Sequence, residues 1–241
     1  MNNCLSAAGA AGSFSREENM MKASWKKGLA AGAALILLFA VWTVLIQTVD
    51  VQLAGCYEPQ KNVGFAGINT WFHGLTGYSE TLYKVTDWLG LVPIAVCVCF
   101  GILGLVQLIQ RKSLMKVDRD ILLLGAYYII VIAAYLVFEM IPINYRPVLV
   151  DGLAKPESSY PSSTTLLVLS VMPTLVFQVN RRMADTTARK AIVVLTGLFT
   201  AFMIIGRTVS GVHWLTDILA SVFLSAGLYL IYRSAASKDD R

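Results

Sequence analysis

The sequence predicts an all-α membrane protein with six transmembrane helices, and three features of the chain indicate this fold class. Of the 241 residues, 56% are hydrophobic and only 15% are charged, whereas soluble domains carry about 25% charged residues. The mean hydropathy is +0.62. Six apolar runs are each long enough to cross the roughly 30 Å hydrocarbon core of a bilayer as a helix. These runs are residues 28–48, 89–110, 120–141, 161–180, 190–206 and 212–233.

The distribution of basic residues predicts the orientation of the chain. Fifteen of the 20 Lys and Arg residues precede the first run, follow the sixth, or join runs two and three or four and five; the other five lie on the opposite side. Basic residues concentrate in cytoplasmic connections, so we expect both termini in the cytoplasm. No basic cluster is larger than a helix flank, so the net charge of +5 does not indicate nucleic-acid binding.

The chain divides into two short tails and one membrane domain. Residues 1–24 are small and polar without periodicity, and we expect a disordered cytoplasmic tail. Residues 25–233 form the membrane domain, and residues 234–241 form a second cytoplasmic tail. Residues 49–88, the connecting segment, carry aromatic residues near helical spacing, which predicts an additional external helix lying at the membrane interface.

The cysteines and histidines predict no metal site. The chain has four Cys and two His residues, and they are not clustered at the spacings that hold zinc. Cys97 and Cys99 lie inside the second run, where we interpret them as packing residues. We therefore expect neither a metal nor a cofactor.

The stretch from Gly206 to Leu219, G-R-T-V-S-G-V-H-W-L-T-D-I-L, places an Arg, a His and an Asp between two hydrophobic runs. Polar groups are costly there and usually have a function. His213 and Asp217 are four residues apart, so in a helix they would share a face. The carboxylate could then hydrogen-bond one ring nitrogen and leave the other free.

The fourth run begins with Pro161, Ser162, Ser163, Thr164 and Thr165. Proline is well suited to the first turn of a helix, and Ser158 or Ser159 could cap it. The helix N-terminus would present unpaired N–H groups together with the serine hydroxyls, an arrangement that favours an anion. An ordinary capped helix start would use the same residues.

The topology brings several of these polar residues to one extracytoplasmic face. They are Arg146, Ser162, Ser163, Arg207 and His213. Two guanidinium groups, a helix N-terminus and a histidine predict a phosphate site. The alternative is a structural cluster of ion pairs, in which Glu139, Asp151 and Glu157 would balance the arginines.

These residues resemble the signature of the type 2 phosphatidic acid phosphatase (PAP2) superfamily, which has three blocks, K-x6-R-P, P-S-x-H and S-R-x5-H-x3-D. Gly206 to Asp217 match the third block with only the leading Ser changed. Pro161 to Thr164 correspond to the second block, and Glu139 to Pro147 to the first. The resemblance covers residues 89–233 and implies a PAP2-like bundle of six helices.

The resemblance implies a role for each matching residue. His213 would be the nucleophile that forms a phosphohistidine, and Asp217 would hold the ring tautomer and stabilise the cation that forms. Arg146, Arg207, Ser162 and the N–H groups that begin the fourth run would hold the phosphoryl oxygens. Members of the family act without a metal, so the resemblance implies a metal-independent lipid phosphatase.

Two departures from the signature bear on the substrate. Glu139 replaces a phosphate-binding Lys, and Thr164 replaces the His that protonates the leaving group. A general acid contributes about 10²–10⁴-fold to the rate. An alcohol leaving group has a conjugate-acid pKa of about 15, whereas a lipid monophosphate leaving from a diphosphate has a pKa of about 6 and hardly needs a proton. The leading hypothesis is therefore hydrolysis of an isoprenoid diphosphate, such as undecaprenyl diphosphate.

Several alternatives remain at the level of sequence. The substrate could be phosphatidic acid or phosphatidylglycerophosphate, with His73 replacing the missing acid, or with Thr164 or Thr165 donating through a water. A non-catalytic relative that binds phospholipid headgroups is a further alternative, because two of the three blocks are altered. A transporter is not indicated, since the chain shows no inverted repeat.

Overall fold

A computed structural model describes residues 2–150 and 152–237, with side chains described from Trp25 onward. Eight α-helices and two β-strands follow one another along the described residues. They are α1 (Asn2–Thr48), β1 (Gln52–Ala54), β2 (Lys61–Val63), α2 (Ala66–Thr76), α3 (Glu80–Leu89), α4 (Leu91–Arg111), α5 (Arg119–Met140), α6 (Ser163–Arg182), α7 (Thr187–Val209) and α8 (Leu215–Ala236).

The predicted all-α membrane fold with six spans is confirmed. Six helical segments of the described chain are long and apolar enough to cross a membrane. Their bounds are Trp25–Thr48, Glu80–Arg111, Arg119–Met140, Ser163–Arg182, Thr187–Val209 and Leu215–Ala236. The second segment is longer than predicted because only Gly90 separates α3 from α4.

The first helix also extends further than predicted. Its backbone is helical from Asn2, although the sequence predicts disorder for residues 1–24. This stretch contains no proline, so nothing in it blocks continuation of the helix toward the N-terminus.

The connecting segment folds into a hairpin and two short helices instead of the single predicted interfacial helix. Strands β1 and β2 pair antiparallel, with Leu53 opposite Asn62. Gly77 adopts a positive φ of 63° and ends α2. Ser79 caps the next helix, α3, by accepting a hydrogen bond from the N–H of Leu82. Trp88 remains 74% exposed, as expected of an aromatic residue at a membrane interface.

Helix α8 lies at the centre of the bundle and packs against α1, α5 and α6. Its contact with α1 is close because glycines face each other. A Cβ added to Gly32 would lie 2.8 Å from the carbonyl oxygen of Gly227. Small residues permit such close approach of backbones between membrane helices. Several helices can therefore pack around α8 at the same time.

An ion-pair network ties the helices together at the end of the bundle where α4 and α6 end and α5 begins. Asp118 accepts hydrogen bonds from Arg111 at 2.7 Å and Arg182 at 3.1 Å, and Asp120 accepts from Arg182 at 2.8 Å. The hydrogen bond from Arg111 is the main reason that the pKa of Asp118 is lowered. The predicted functional residues lie at the opposite end.

Asn69 connects the connecting segment to the start of α8. It is fully buried, and its Nδ2 donates to the carbonyl oxygen of Gly64 and to Oγ1 of Thr216, both at 2.9 Å. Its Oδ1 accepts from the N–H of Thr216 at 3.3 Å. Thr216 is the second residue of α8, so this one side chain holds the helix start in place.

We predict that Asn69→Ala destabilises the protein, because it leaves buried donors and acceptors without partners at a cost of about 1–3 kcal/mol. Asn62→Ala on the exposed side of β2 is the matched control and should change stability by less than about 0.5 kcal/mol. Thermal unfolding in detergent measures both variants. Equal melting temperatures for the two would contradict this role for Asn69.

Candidate active site

His213 lies in the turn between α7 and α8, two residues before α8 begins at Leu215. Gly211 makes the turn possible, since its φ is +71° and side chains rarely adopt that conformation. A Cβ at Gly211 would also collide with the carbonyl oxygen of Gly77. The turn therefore presses closely against the connecting segment.

The imidazole of His213 is held through one nitrogen. Its Nδ1 lies 3.0 Å from the carbonyl oxygen of Ser159. A carbonyl can only accept, so Nδ1 donates the proton and the lone pair of the neutral ring is on Nε2. Nε2 is buried and has no hydrogen-bond partner in the part of the chain that the structure describes.

The surroundings of His213 keep its ring neutral. Burial is the largest cause that lowers its pKa well below 6.5, followed by the positive charges of Arg146 and Arg207. Both effects disfavour a second proton on the ring. A buried imidazole with a bare nitrogen has the properties of a nucleophile.

Asp217 does not contact the ring in the way that the sequence predicts. Its Oδ2 accepts from the backbone N–H of Trp214 at 3.0 Å, and its Oδ1 accepts from Nδ2 of Asn144 at 3.2 Å. The predicted hydrogen bond to His213 is wrong because His213 precedes the helix, so the i, i+4 relation does not apply. Asp217 instead caps the start of α8, and the Ser159 carbonyl orients the ring.

Two stretches of backbone pair between α5 and α6 and form one side of the site. The N–H of Arg146 donates to the carbonyl oxygen of Glu157 at 3.0 Å, and the N–H of Ser159 donates to that of Asn144 at 2.9 Å. This backbone pairing places the Ser159 carbonyl group within hydrogen-bonding distance of the His213 imidazole. It also carries Arg146 to the same place.

A cavity of about 140 Å³ opens where these elements meet. Its polar and charged wall includes Glu139, Arg146, Glu157, Ser163 and His213. The cavity has room for a phosphoryl group. It also carries Glu139 and Glu157, two of the three carboxyl groups named in the alternative of an ion-pair cluster; Asp151, the third, lies outside the described residues.

Arg146 offers free donors to this cavity. The residue is 9% exposed, and its Nη2 lies 3.1 Å from Oε2 of Glu157. Its buried Nε and Nη1 have no hydrogen-bond partner among the described residues. Buried donors without partners are rare, and a guanidinium in this state is suited to bind phosphoryl oxygens.

Arg207 lies behind the cavity wall and not in it. It is 1% exposed, its Nη1 is 3.4 Å from Oγ1 of Thr86, and its Nη2 is 3.5 Å from Oδ1 of Asp87. The ring of Tyr83 lies 5.0 Å from the Arg207 guanidinium and 5.8 Å from that of Arg146. One aromatic side chain of α3 thus contacts both cations, which the sequence did not reveal.

The serines and threonines that begin α6 face in different directions. Ser163 lies on the cavity wall. Ser162 is the N-cap residue of α6 instead of the predicted Ser158 or Ser159, and its Oγ donates to Oγ1 of Thr165 at 3.0 Å in the protein interior. The two hydroxyl groups of Ser162 and Thr165 are therefore engaged with each other.

Thr164 lines an apolar groove of about 500 Å³ between α4, α5 and α6. It is absent from the wall of the His213 cavity, so its hydroxyl is not placed to protonate a leaving group there. The groove and the cavity adjoin, since Tyr135, Ser163 and Leu166 line both.

His73 has a structural position beside the turn. Its Nε2 lies 3.1 Å from the carbonyl oxygen of Gly211, and its ring centroid is 5.7 Å from that of Trp214. It does not line the cavity, so the suggestion that His73 replaces the missing acid is not supported. Within residues 25–150 and 152–237, whose side chains the structure describes, no group of three or more His, Cys, Asp or Glu side chains could hold a metal ion.

We predict that the His213 ring does not titrate near pH 6.5, because burial and two cations lower its pKa. The sign for stability follows: below pH 6.5 the unfolded chain binds a proton on this residue that the folded chain does not, so stability falls as the pH decreases. The chain has only two histidines, so its NMR spectrum contains two sets of imidazole signals. The His73→Gln variant lacks one set, and the remaining signals belong to His213, whose chemical shifts are then followed against pH. A His213 titration midpoint at or above pH 6.5 would contradict the buried, neutral ring.

Comparison with known proteins agrees with this architecture. A family model described as the PAP2 superfamily matches residues 121–240, which include Arg146, Ser163 and His213. The fold is similar to the crystal structure of the first transmembrane PAP2-type phosphatidylglycerolphosphate phosphatase from Bacillus subtilis, with a TM-score of 0.55 and 18% identity over 87% of this chain and 98% of that chain. No curated protein matches the chain by sequence. The similarity to that structure shows a shared fold, and the family match over residues 121–240 shows that the chain belongs to the PAP2 superfamily.

Proposed function

We propose that this protein is a lipid phosphatase in which Nε2 of His213 attacks the phosphorus atom of its substrate. One observation carries the proposal: His213 and Arg146 line the same cavity, and each has buried nitrogen atoms without a hydrogen-bond partner among the described residues. Nucleophile and phosphate-binding cation are the two groups that a phosphohistidine mechanism needs. Membership of a family of membrane phosphatases supports the same conclusion.

The reaction proceeds through two displacements. In the first, the bond between Nε2 and phosphorus forms as the bond to the leaving oxygen breaks. Arg146, Ser163 and the N–H groups in the first turn of α6 stabilise the phosphoryl oxygens. The Ser159 carbonyl accepts the hydrogen bond from Nδ1 and so stabilises the positive charge that develops on the ring. In the second displacement, water attacks phosphorus and releases the imidazole.

Arg207 and Asp217 support this site from behind. The Arg207 cation adds positive charge close enough to His213 to lower the pKa of its ring. Asp217 caps α8 and, through its backbone carbonyl, accepts a hydrogen bond from the N–H of Ser162 at 3.3 Å. We assign Asp217 to positioning the turn and α6 relative to each other.

The substrate that fits best is an isoprenoid diphosphate such as undecaprenyl diphosphate. Thr164 lines the groove, so the second block supplies no acid from the position that the signature uses, and a leaving lipid monophosphate with a pKa of about 6 depends on an acid much less than an alcohol does. The apolar groove continues directly from the cavity at Ser163 and Leu166. We propose that the hydrocarbon chain of the lipid occupies it.

The proposed location is a bacterial plasma membrane with the site on the extracytoplasmic side. The ion-pair network of Arg111 and Arg182 lies at the opposite end of the bundle, together with most of the basic residues of the chain. Basic residues favour the cytoplasmic side, which leaves the cavity facing outward.

A phosphatidic acid or phosphatidylglycerophosphate phosphatase is the second candidate. The specific observation in its favour is that Glu139 and Glu157 line the cavity and could handle the proton that an alcohol leaving group requires. The ion pair between Arg146 and Glu157 also fits a non-catalytic relative, which would bind headgroups without cleaving them.

We predict that His213→Ala abolishes phosphate release, lowering it by at least about 10³-fold, because His213 is the only imidazole among the residues that line the cavity and the proposed phosphohistidine cannot form without it. The control is His73→Gln, which removes the other histidine without touching the cavity. Phosphate released from polyprenyl diphosphate by purified protein measures both. Retained activity in His213→Ala would exclude the phosphohistidine route.

We also predict that the native protein releases phosphate faster from polyprenyl diphosphate than from phosphatidic acid, since the first has the better leaving group. The measurement uses both lipids at matched mole fractions in mixed micelles. Faster release from phosphatidic acid would overturn the leaving-group argument, and the second candidate would replace the first.

A further inference from the structure

We infer that Glu139 is the acid–base residue of this site, a role that the second signature block cannot fill here. The inference rests on the proposed phosphatase activity and adds a residue to it. The carboxyl group donates a proton to the leaving oxygen in the first displacement. It then accepts a proton from the attacking water in the second.

Glu139 occupies the last turn of α5, immediately before the helix ends at Met140. Its side chain lies on the wall of the same 140 Å³ cavity as His213. Among the described residues it forms no ion pair or hydrogen bond. Glu139 is an exposed residue, so its carboxyl group is accessible to a substrate in the cavity.

Three other candidates for the acid are placed or paired elsewhere. Thr164 faces the groove, and His73 is bonded to the carbonyl oxygen of Gly211. Glu157 lies on the cavity wall but pairs with Nη2 of Arg146 at 3.1 Å. Because that carboxylate neutralises a guanidinium, it is less suited to carry a transferable proton than Glu139.

The chemistry of the first block also favours this role. The family pattern has a phosphate-binding cation where Glu139 stands, and an ionised carboxylate there would repel a phosphate dianion. A protonated carboxyl instead offers a hydrogen-bond donor to the phosphate or the leaving oxygen. The departure at this position therefore replaces a phosphate-binding cation with a group that can give and accept a proton.

The two steps balance with respect to atoms and electrons. In the first, Nε2 of His213 forms the bond to phosphorus, the lipid oxygen leaves with the bonding pair, and the proton of Glu139 moves to that oxygen. In the second, the water oxygen bonds to phosphorus, Nε2 recovers its electron pair, and the proton of the water returns to Glu139. The products are the lipid with a terminal hydroxyl or monophosphate and inorganic phosphate.

The test uses Glu139→Gln and two substrates with the same tail, polyprenyl monophosphate and polyprenyl diphosphate. Rapid-quench measurement of the first turnover isolates bond cleavage. We expect cleavage of the monophosphate to slow by about 10²–10⁴-fold, since an alkoxide must leave without a proton. Cleavage of the diphosphate should slow by less than about 10-fold, because its leaving group is already stable.

The same variant has a second signature with the diphosphate. Loss of the base slows hydrolysis of the phosphohistidine, so one equivalent of polyprenyl monophosphate should appear in a burst before a slow steady state. A structural defect at position 139 would slow both first turnovers by the same factor. Glu139→Asp, which keeps the carboxyl group, should partly restore cleavage of the monophosphate.

Glu157→Gln is the matched comparison, because it removes the other carboxyl group of the cavity. It should change the first turnover of both substrates by the same factor. The inference is wrong if Glu139→Gln slows both cleavages equally or neither. It is also wrong if the leaving-group dependence appears in Glu157→Gln, or if the native protein cleaves only the diphosphate. If the native protein releases phosphate from neither substrate, the proposed function itself fails.

Discussion

The hydrogen bond from Nδ1 of His213 to the carbonyl oxygen of Ser159 is the interaction on which the site depends. It fixes the tautomer, so the lone pair is on Nε2, and the residue lines the cavity. The Ser159 carbonyl is held there by backbone pairing within the segment that joins α5 to α6. The turn that carries His213 is held by Asp217 at the start of α8. The nucleophile is thus positioned almost entirely by backbone atoms and a helix cap.

The connecting segment is part of the site and not an attachment to it. Tyr83 contacts the guanidinium groups of both arginines, and Asp87 pairs with Arg207. Asn69 and His73 bind the start of α8 and the turn before it. Two like charges can remain close together because an aromatic ring and a carboxylate of this segment stabilise them.

Much of the fold and part of the site could be predicted from the sequence, because spans and their ends follow from apolar length alone. The convergence of Arg146 and His213 on one end of the bundle followed from the same count of spans. The partner of the imidazole could not be predicted, since it is a carbonyl 54 residues away and depends on where α8 begins. The orientation of Thr164 toward the groove could not be predicted either, because it depends on the rotation of α6 about its axis.

The most direct test of the account is to locate the phosphoryl group on the enzyme. The protein is mixed with polyprenyl diphosphate, quenched under alkaline conditions that preserve phosphohistidine, and examined by mass spectrometry and ³¹P NMR. The account predicts a single phosphoryl group on Nε2 of His213, because Nδ1 is bonded to the Ser159 carbonyl. A phosphoryl group on Nδ1 or on another residue would contradict it, as would a protein that turns over without a covalent intermediate.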